Sequence, residues 1–239
     1  MAPLWHVFGL LQRRLRAGRS AVQASYLSAC LGVTLACAFV AADSQVPLER
    51  IPLFDPEVFP AGWVHFSAGE GSRLADTWRI ERSQTDGHVL VCTGQPYGYI
   101  RTAEAYHNFE FGLEWKYPTA ENGNSGVLVH TNGGDKIWPT AIQIQLHTPS
   151  AGSILPTGGA SPKTPVRARD LSRGVNEWNS CVISCRDGRL SVTINGTPSG
   201  EIEGCLPYKG MIALQSEGSE IHFRNIWLRR LGDSGAKTE

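Results

Sequence analysis

Glu110, Glu114 and His130 follow one another along a stretch of chain that also carries Lys116, Asn124, Gln143, Gln145 and His147, a set suited to moving protons and holding hydroxyl groups. Glu114 is the first candidate for a general base, because a carboxylate in the middle of an extended segment is costly unless it is solvated, paired or used. Its plain alternative is a surface glutamate paired with a lysine. Glu110 shares that facing four residues away, about 13 Å along an extended chain, and the two are read either as a carboxylate pair or as a solvated edge. His130 titrates near neutrality and suits proton transfer or metal binding, unless it is simply structural. Gln143 and Gln145 donate and accept hydrogen bonds but cannot serve as bases. His147 falls on their face as a ligand or base, and Asn124 is either a ligand contact or a turn former. Trp138, in the loop Lys136-Ile137-Trp138-Pro139, offers an indole for stacking, whereas Trp115 and Trp178 read as core.

The elements that carry these residues are strands. Phe109, Phe111, Leu113 and Trp115 fall on one side of an extended chain, and Glu110, Gly112, Glu114 and Lys116 on the other. A turn-rich break at Asn122–Gly126 leads to Val127–His130, and after a loop Ala141–Leu146 alternates again, placing Gln143 and Gln145 on one face. Beyond Trp178-Asn179 come Val182–Ser184, a hairpin at Arg186–Arg189, Leu190–Ile194 and an Asn195-Gly196 turn. The pattern closes with Met211–Gln215, a turn at Ser216–Ser219, and Ile221–Leu228, whose apolar register changes near Asn225. Nothing here reads as a long helix. Gly at 26 and Pro at 14 cluster in the intervening loops, as an all-β chain requires.

At these positions the sequence resembles the concanavalin-like family of 3-keto-disaccharide hydrolases, also described as 3-keto-glucoside lyases and keto-hydroxyglucal hydratases. The resemblance rests on Gly62-Trp63, Phe109-Glu110-Phe111, Glu114-Trp115-Lys116, Asn124–Val127, Ile142–Gln145, Gly174 through Trp178-Asn179, Asn195-Gly196, Gly210, Leu214-Gln215, Glu217-Gly218 and Phe223–Ile226, and it covers about residues 50–231. One position departs: where the family usually has an acid two residues before the Gln145 equivalent, this chain has Gln143. The resemblance implies a jelly-roll sandwich of two antiparallel sheets acting on a sugar or 3-keto-glycoside. A ketone at carbon 3 acidifies the proton on carbon 2, a base removes it while the group on carbon 1 leaves, and water adds to the resulting keto-hydroxyglucal. Such a site needs a base, an electrophile at the ketone oxygen and a donor for the leaving oxygen. The resemblance adds Gln215 and Glu217 as substrate contacts, though a turn would leave Glu217 simply solvated. Lys116 either polarises the keto oxygen or pairs with a carboxylate. A noncatalytic carbohydrate-binding module of the same fold is the alternative.

The 239 residues, 41% hydrophobic, suffice for one such domain over residues 43–239. Arg13, Arg14, Arg16 and Arg19 precede an uncharged run from Ser20 to Ala42, which reads as a secretion signal cleaved after Ala42 and an extracytoplasmic domain. A lipoprotein box at Leu27–Cys30 and an uncleaved anchor, the only route to a membrane, are the competing forms. Removal of residues 1–42 leaves 18 basic against 22 acidic residues, a net −4 that gives no support to nucleic-acid binding. Four cysteines remain, Cys92, Cys181, Cys185 and Cys205. Cys181 and Cys185 are too far apart on a strand to bond each other, so the four either pair through Cys92 or Cys205 or stay buried thiols. No cofactor is expected, and although His130, His147, Glu114 and the glutamines are a conceivable divalent-metal set, the sequence assigns no metal. Nucleophile-elbow, phosphate-loop, zinc-protease and EF-hand patterns are absent.

Overall fold

In a computed structural model the described residues are 49–233. The expected signal or anchor, with Cys30 and Cys37, lies outside them. No helix among the described residues is long and apolar enough to cross a membrane.

Among the described residues fourteen strands build the fold, all paired antiparallel: β1 (Ile51–Pro52), β2 (Trp63–Ser67), β3 (Trp78–Ser83), β4 (Gly87–Cys92), β5 (Gly98–Thr102), β6 (Phe109–Lys116), β7 (Gly126–Asn132), β8 (Thr140–Gln145), β9 (Ile154–Thr157), β10 (Asn179–Arg186), β11 (Arg189–Ile194), β12 (Thr197–Ile202), β13 (Met211–Ser216) and β14 (Ile221–Arg230). The first sheet has the order β12-β11-β10-β6-β14-β4-β3, with β1 on the end of β14; the second has the order β2-β5-β13-β7-β8-β9. The two inner faces share one apolar layer. Phe109, Phe111, Leu113 and Trp115 from β6, Ile183 from β10 and Phe223 from β14 meet Val127, Val129, Ile142, Ile144 and Leu214 of the second sheet in a single cluster.

Turn chemistry sets the registers. Asp187-Gly188 and Asn195-Gly196 both have positive φ, the pairing that closes tight hairpins whose twist matches the strands, and they sit where the sequence placed them. In β14 the register shifts between Arg224 and Trp227, and Asn225 at φ 51° takes up the extra residue. Burial therefore switches from Ile221 and Phe223 to Ile226 and Leu228. The bulge also lays the Trp227 ring flat over Gly112 of β6, and the Arg50 guanidinium covers its other side at 3.9 Å.

All four described cysteines are free and buried. Burial pushes the Cys92 thiol up to about 11 and Cys181 up to about 12, so neither is a ready nucleophile or metal ligand.

A side chain at position 112 would be driven into the Trp227 indole. Gly112→Val is expected to lower stability by about 1–3 kcal/mol, measured by urea unfolding, with part of the loss recovered when Trp227 is also cut to alanine.

Candidate functional site

Strand alternation divides the candidate residues between opposite outer faces. Glu110, Glu114 and Lys116 project from the first sheet, and each already has a partner. Arg224 Nε donates to Glu114 Oε2 at 2.6 Å and its Nη1 to Asp86 Oδ1 at 2.8 Å. Lys116 Nζ reaches Asp86 Oδ2 at 3.3 Å, and Trp178 Nε1 donates to Asp86 Oδ1 at 3.0 Å. The Trp178 ring takes the Arg224 guanidinium at 4.0 Å and the Lys116 ammonium at 4.8 Å. Burial acts to raise the Asp86 pKa, but these donors and cations together hold it below the usual value. Glu110 pairs with Arg229. The expected carboxylate pair is thus replaced by two glutamate–arginine pairs, and Trp178, read as core, is a part-exposed clamp. A carboxylate oxygen held by a guanidinium is already engaged and must break that charge-assisted bond before it can meet a substrate.

His130 lies between the faces. It sits in β7 with φ 53°, is 2% exposed, and meets Phe109 edge-on with ring centroids 5.6 Å apart. Burial pushes its imidazole down to about 4, and its Nδ1 has no hydrogen-bond partner. It is a neutral core histidine.

The remaining polar candidates meet on the outer face of the second sheet. The register pairs Gln215 with Tyr99, Gln145 with Gly126 and Gln143 with Leu128. Leu214 stands opposite Val127, so Gln215 and Gly126 are adjacent. Gly126 is needed here for close approach: a β-carbon would collide with the Gln215 amide oxygen and crowd Gln143 Nε2 at 3.2 Å. The ladder runs on past the strand ends, with Leu146 N–H donating to Ser125 O and Thr148 N–H to Gly123 O. Alternation thereby sets His147 and Asn124 in the next row, and the Asn124 amide hydrogen-bonds the Glu217 side chain. Glu217 is not the solvated turn residue that its sequence context suggests. Burial raises its carboxyl pKa against the opposing Asn124 bond, and its Oε2 is buried without a partner. Gln145 Oε1 accepts the backbone N–H of Leu146 and His147 at 3.0 and 3.1 Å, which fixes the strand end.

Sequence reasoning missed the residues at the edge of this face. Tyr99 O–H donates to Asp135 Oδ1 at 3.0 Å, and Arg101 Nε donates to the same oxygen at 3.0 Å. Asp135 belongs to the β7–β8 loop, so this contact ties the loop to β5. The signal was the alternation in Gly98-Tyr99-Ile100-Arg101-Thr102, which presents both side chains to the face that carries Gln215. Trp138 follows in that loop and is 47% exposed, as its loop position suggested. Among the described residues no three His, Cys, Asp or Glu side chains gather as a metal set.

The fold is the two-sheet jelly roll shared by sugar-handling proteins. A structure from Parabacteroides distasonis ATCC 8503, assigned as a glycosyl hydrolase, matches 77% of this chain and all of its own length at 23% identity and TM-score 0.56. A second such structure from that organism matches 72% of this chain and 89% of its own at 23% identity and TM-score 0.54. The laminarinase of Rhodothermus marinus matches 77% and 99% at 10% identity and TM-score 0.54. Residues 49–229 match the model of the 3-keto-alpha-glucoside-1,2-lyase-like domain, and the chain belongs to that glycosyl hydrolase-like family. A comparison with curated proteins finds no match.

His130 must shed its proton to stay buried, whereas in the unfolded chain it titrates near 6.5. Its folded pKa is the lower one, so stability is full above about pH 7 and falls by roughly 3 kcal/mol as pH drops from 6.5 towards 4. Urea midpoints at pH 7.5, 5.5 and 4.5 should show this slope, and His130→Asn, which tolerates the positive φ, should flatten it.

Proposed function

We propose that this protein cleaves 3-keto-glucosides by elimination and hydration on the outer face of its second sheet. Family membership supplies the reaction class, and one observation supports the location: Gln143, Gln145, Gln215, Asn124, His147 and Glu217 share that face, whereas Glu110 and Glu114 are neutralised on the opposite one. In this reading the glutamine amides hold the sugar hydroxyls, which they can both donate to and accept from. His147 is half-buried with no hydrogen bond to its ring among the described residues, and it takes the proton from carbon 2. The electron pair left behind forms the enolate of the carbon 3 ketone, the bond from carbon 1 to the leaving oxygen breaks, and that oxygen departs as the alcohol once protonated. Water then adds to the keto-hydroxyglucal, so that the net change is hydrolysis. Trp138 offers a stacking surface for the leaving group. The proposal includes export, for which the arginine-led apolar N-terminus is the support.

A noncatalytic sugar-binding module is the second reading, favoured by Gln143, an amide that cannot carry a proton where the family commonly has an acid. The test is aglycone release by the purified protein from a 3-keto-glucoside and from its unoxidised parent. The enzyme reading predicts release from the keto substrate alone, a kcat lowered about 10²- to 10⁴-fold in His147→Gln, and near-normal release in Glu114→Gln. Saturable binding of both sugars without release would establish the module instead.

A further inference from the structure

Three buried oxygen atoms at one end of the second sheet have no hydrogen-bond partner: Asn124 Oδ1, Gln215 Oε1 and Glu217 Oε2. All three are acceptors. Gln215 is 3% exposed, and its amide lies over Gly126, two residues from Asn124 on the same strand face. Asn124 in turn bonds the Glu217 side chain through its amide, which leaves Oδ1 as the unsatisfied end. No lysine, arginine or histidine pairs with Glu217 among the described residues. Buried acceptors left open cost stability, and a buried carboxylate oxygen without a counter-charge costs most. On the outer face of the first sheet Asp86, Glu110 and Glu114 are each paired with a cation, and the buried atom left without a partner there, Arg229 Nε, is a donor.

We infer that Asn124, Gln215 and Glu217 form an open site for a hard divalent cation, calcium by its ligand chemistry. Two amide oxygens and one carboxylate, with no thiolate, are the donor set calcium prefers over zinc. Calcium takes six to eight oxygens, so three from the protein leave places for water and for sugar oxygens. Resting on the proposed reaction, this also identifies the missing electrophile: a cation at this spot would draw charge from the ketone oxygen, a task for which the row offers neutral amide N–H groups but no positive charge.

The test is calorimetric titration of CaCl2 into the full-length protein stripped with EDTA, alongside thermal unfolding at increasing CaCl2, with MgCl2 and ZnCl2 as comparators. One saturable calcium site and a melting temperature that climbs with concentration are expected. Glu217→Gln and Gln215→Met should weaken binding about tenfold or more, while keeping the near-ultraviolet circular dichroism of the wild type. The inference is overturned by the absence of binding heat and of any melting shift, and equally by calcium affinity that survives in both variants. Binding is read without any sugar present. Cleavage of a 3-keto-glucoside that persists in protein shown to bind no cation would therefore reject this site and leave the proposed reaction standing.

Discussion

The apolar layer shared by the two sheets governs everything else in this molecule. Stacked sheets lie about 10 Å apart with their inward side chains interlocked, and successive residues of a strand point to opposite faces. Every polar residue that alternates with the core must therefore face outward, away from the other sheet. A residue's sheet decides which chemistry it can join. β6 commits Glu110 and Glu114 to one side of the protein, and β7, β8 and β13 commit Gly126, Gln143, Gln145 and Gln215 to the other.

That division also separates two kinds of polar surface. On the first sheet Asp86, Glu114, Lys116, Trp178 and Arg224 satisfy one another and hold the β3–β4 turn, the β6–β14 pair and the chain before β10 together. These groups already occupy one another, and the network's worth is structural, tempered by the cost of drawing its charges out of water. On the second sheet the balance is reversed. Amide and carboxylate oxygens stay open beside a glycine that lets them approach, and an aromatic pair, Phe66 and Tyr99 with ring centroids 5.1 Å apart, flanks them. These open acceptors are the groups that the proposed site offers to a ligand.

Much of this architecture is legible in the sequence because period-two alternation and turn residues report local geometry directly. The strand over Phe109–Lys116, the two hairpin turns with glycine and the register change at Asn225 all follow from residue types a few positions apart. Sheet partnership is not local. Glu114 looks like a free mid-strand carboxylate until β14 brings Arg224 beside it from more than a hundred residues away. His130 and Glu217 mislead for the same reason: a lone imidazole at a strand end and a glutamate in a turn carry no sign of burial until Phe109 and Asn124 pack against them. The amide row was readable as a shared face for Gln143, Gln145 and His147, but Gln215 joined it only once β13 was set beside β7.

The most direct test of the account is where a sugar lands. Side-chain amide resonances of labelled protein, followed during titration with an uncleavable thio-linked 3-keto-glucoside, would map it. Saturable shifts at Asn124, Gln143, Gln145 and Gln215, with the Arg224 guanidinium and Trp178 indole signals unmoved, are the predicted result. Shifts confined to Arg224 and Trp178, with the second-sheet amides unchanged, would contradict the account and return the site to the first sheet.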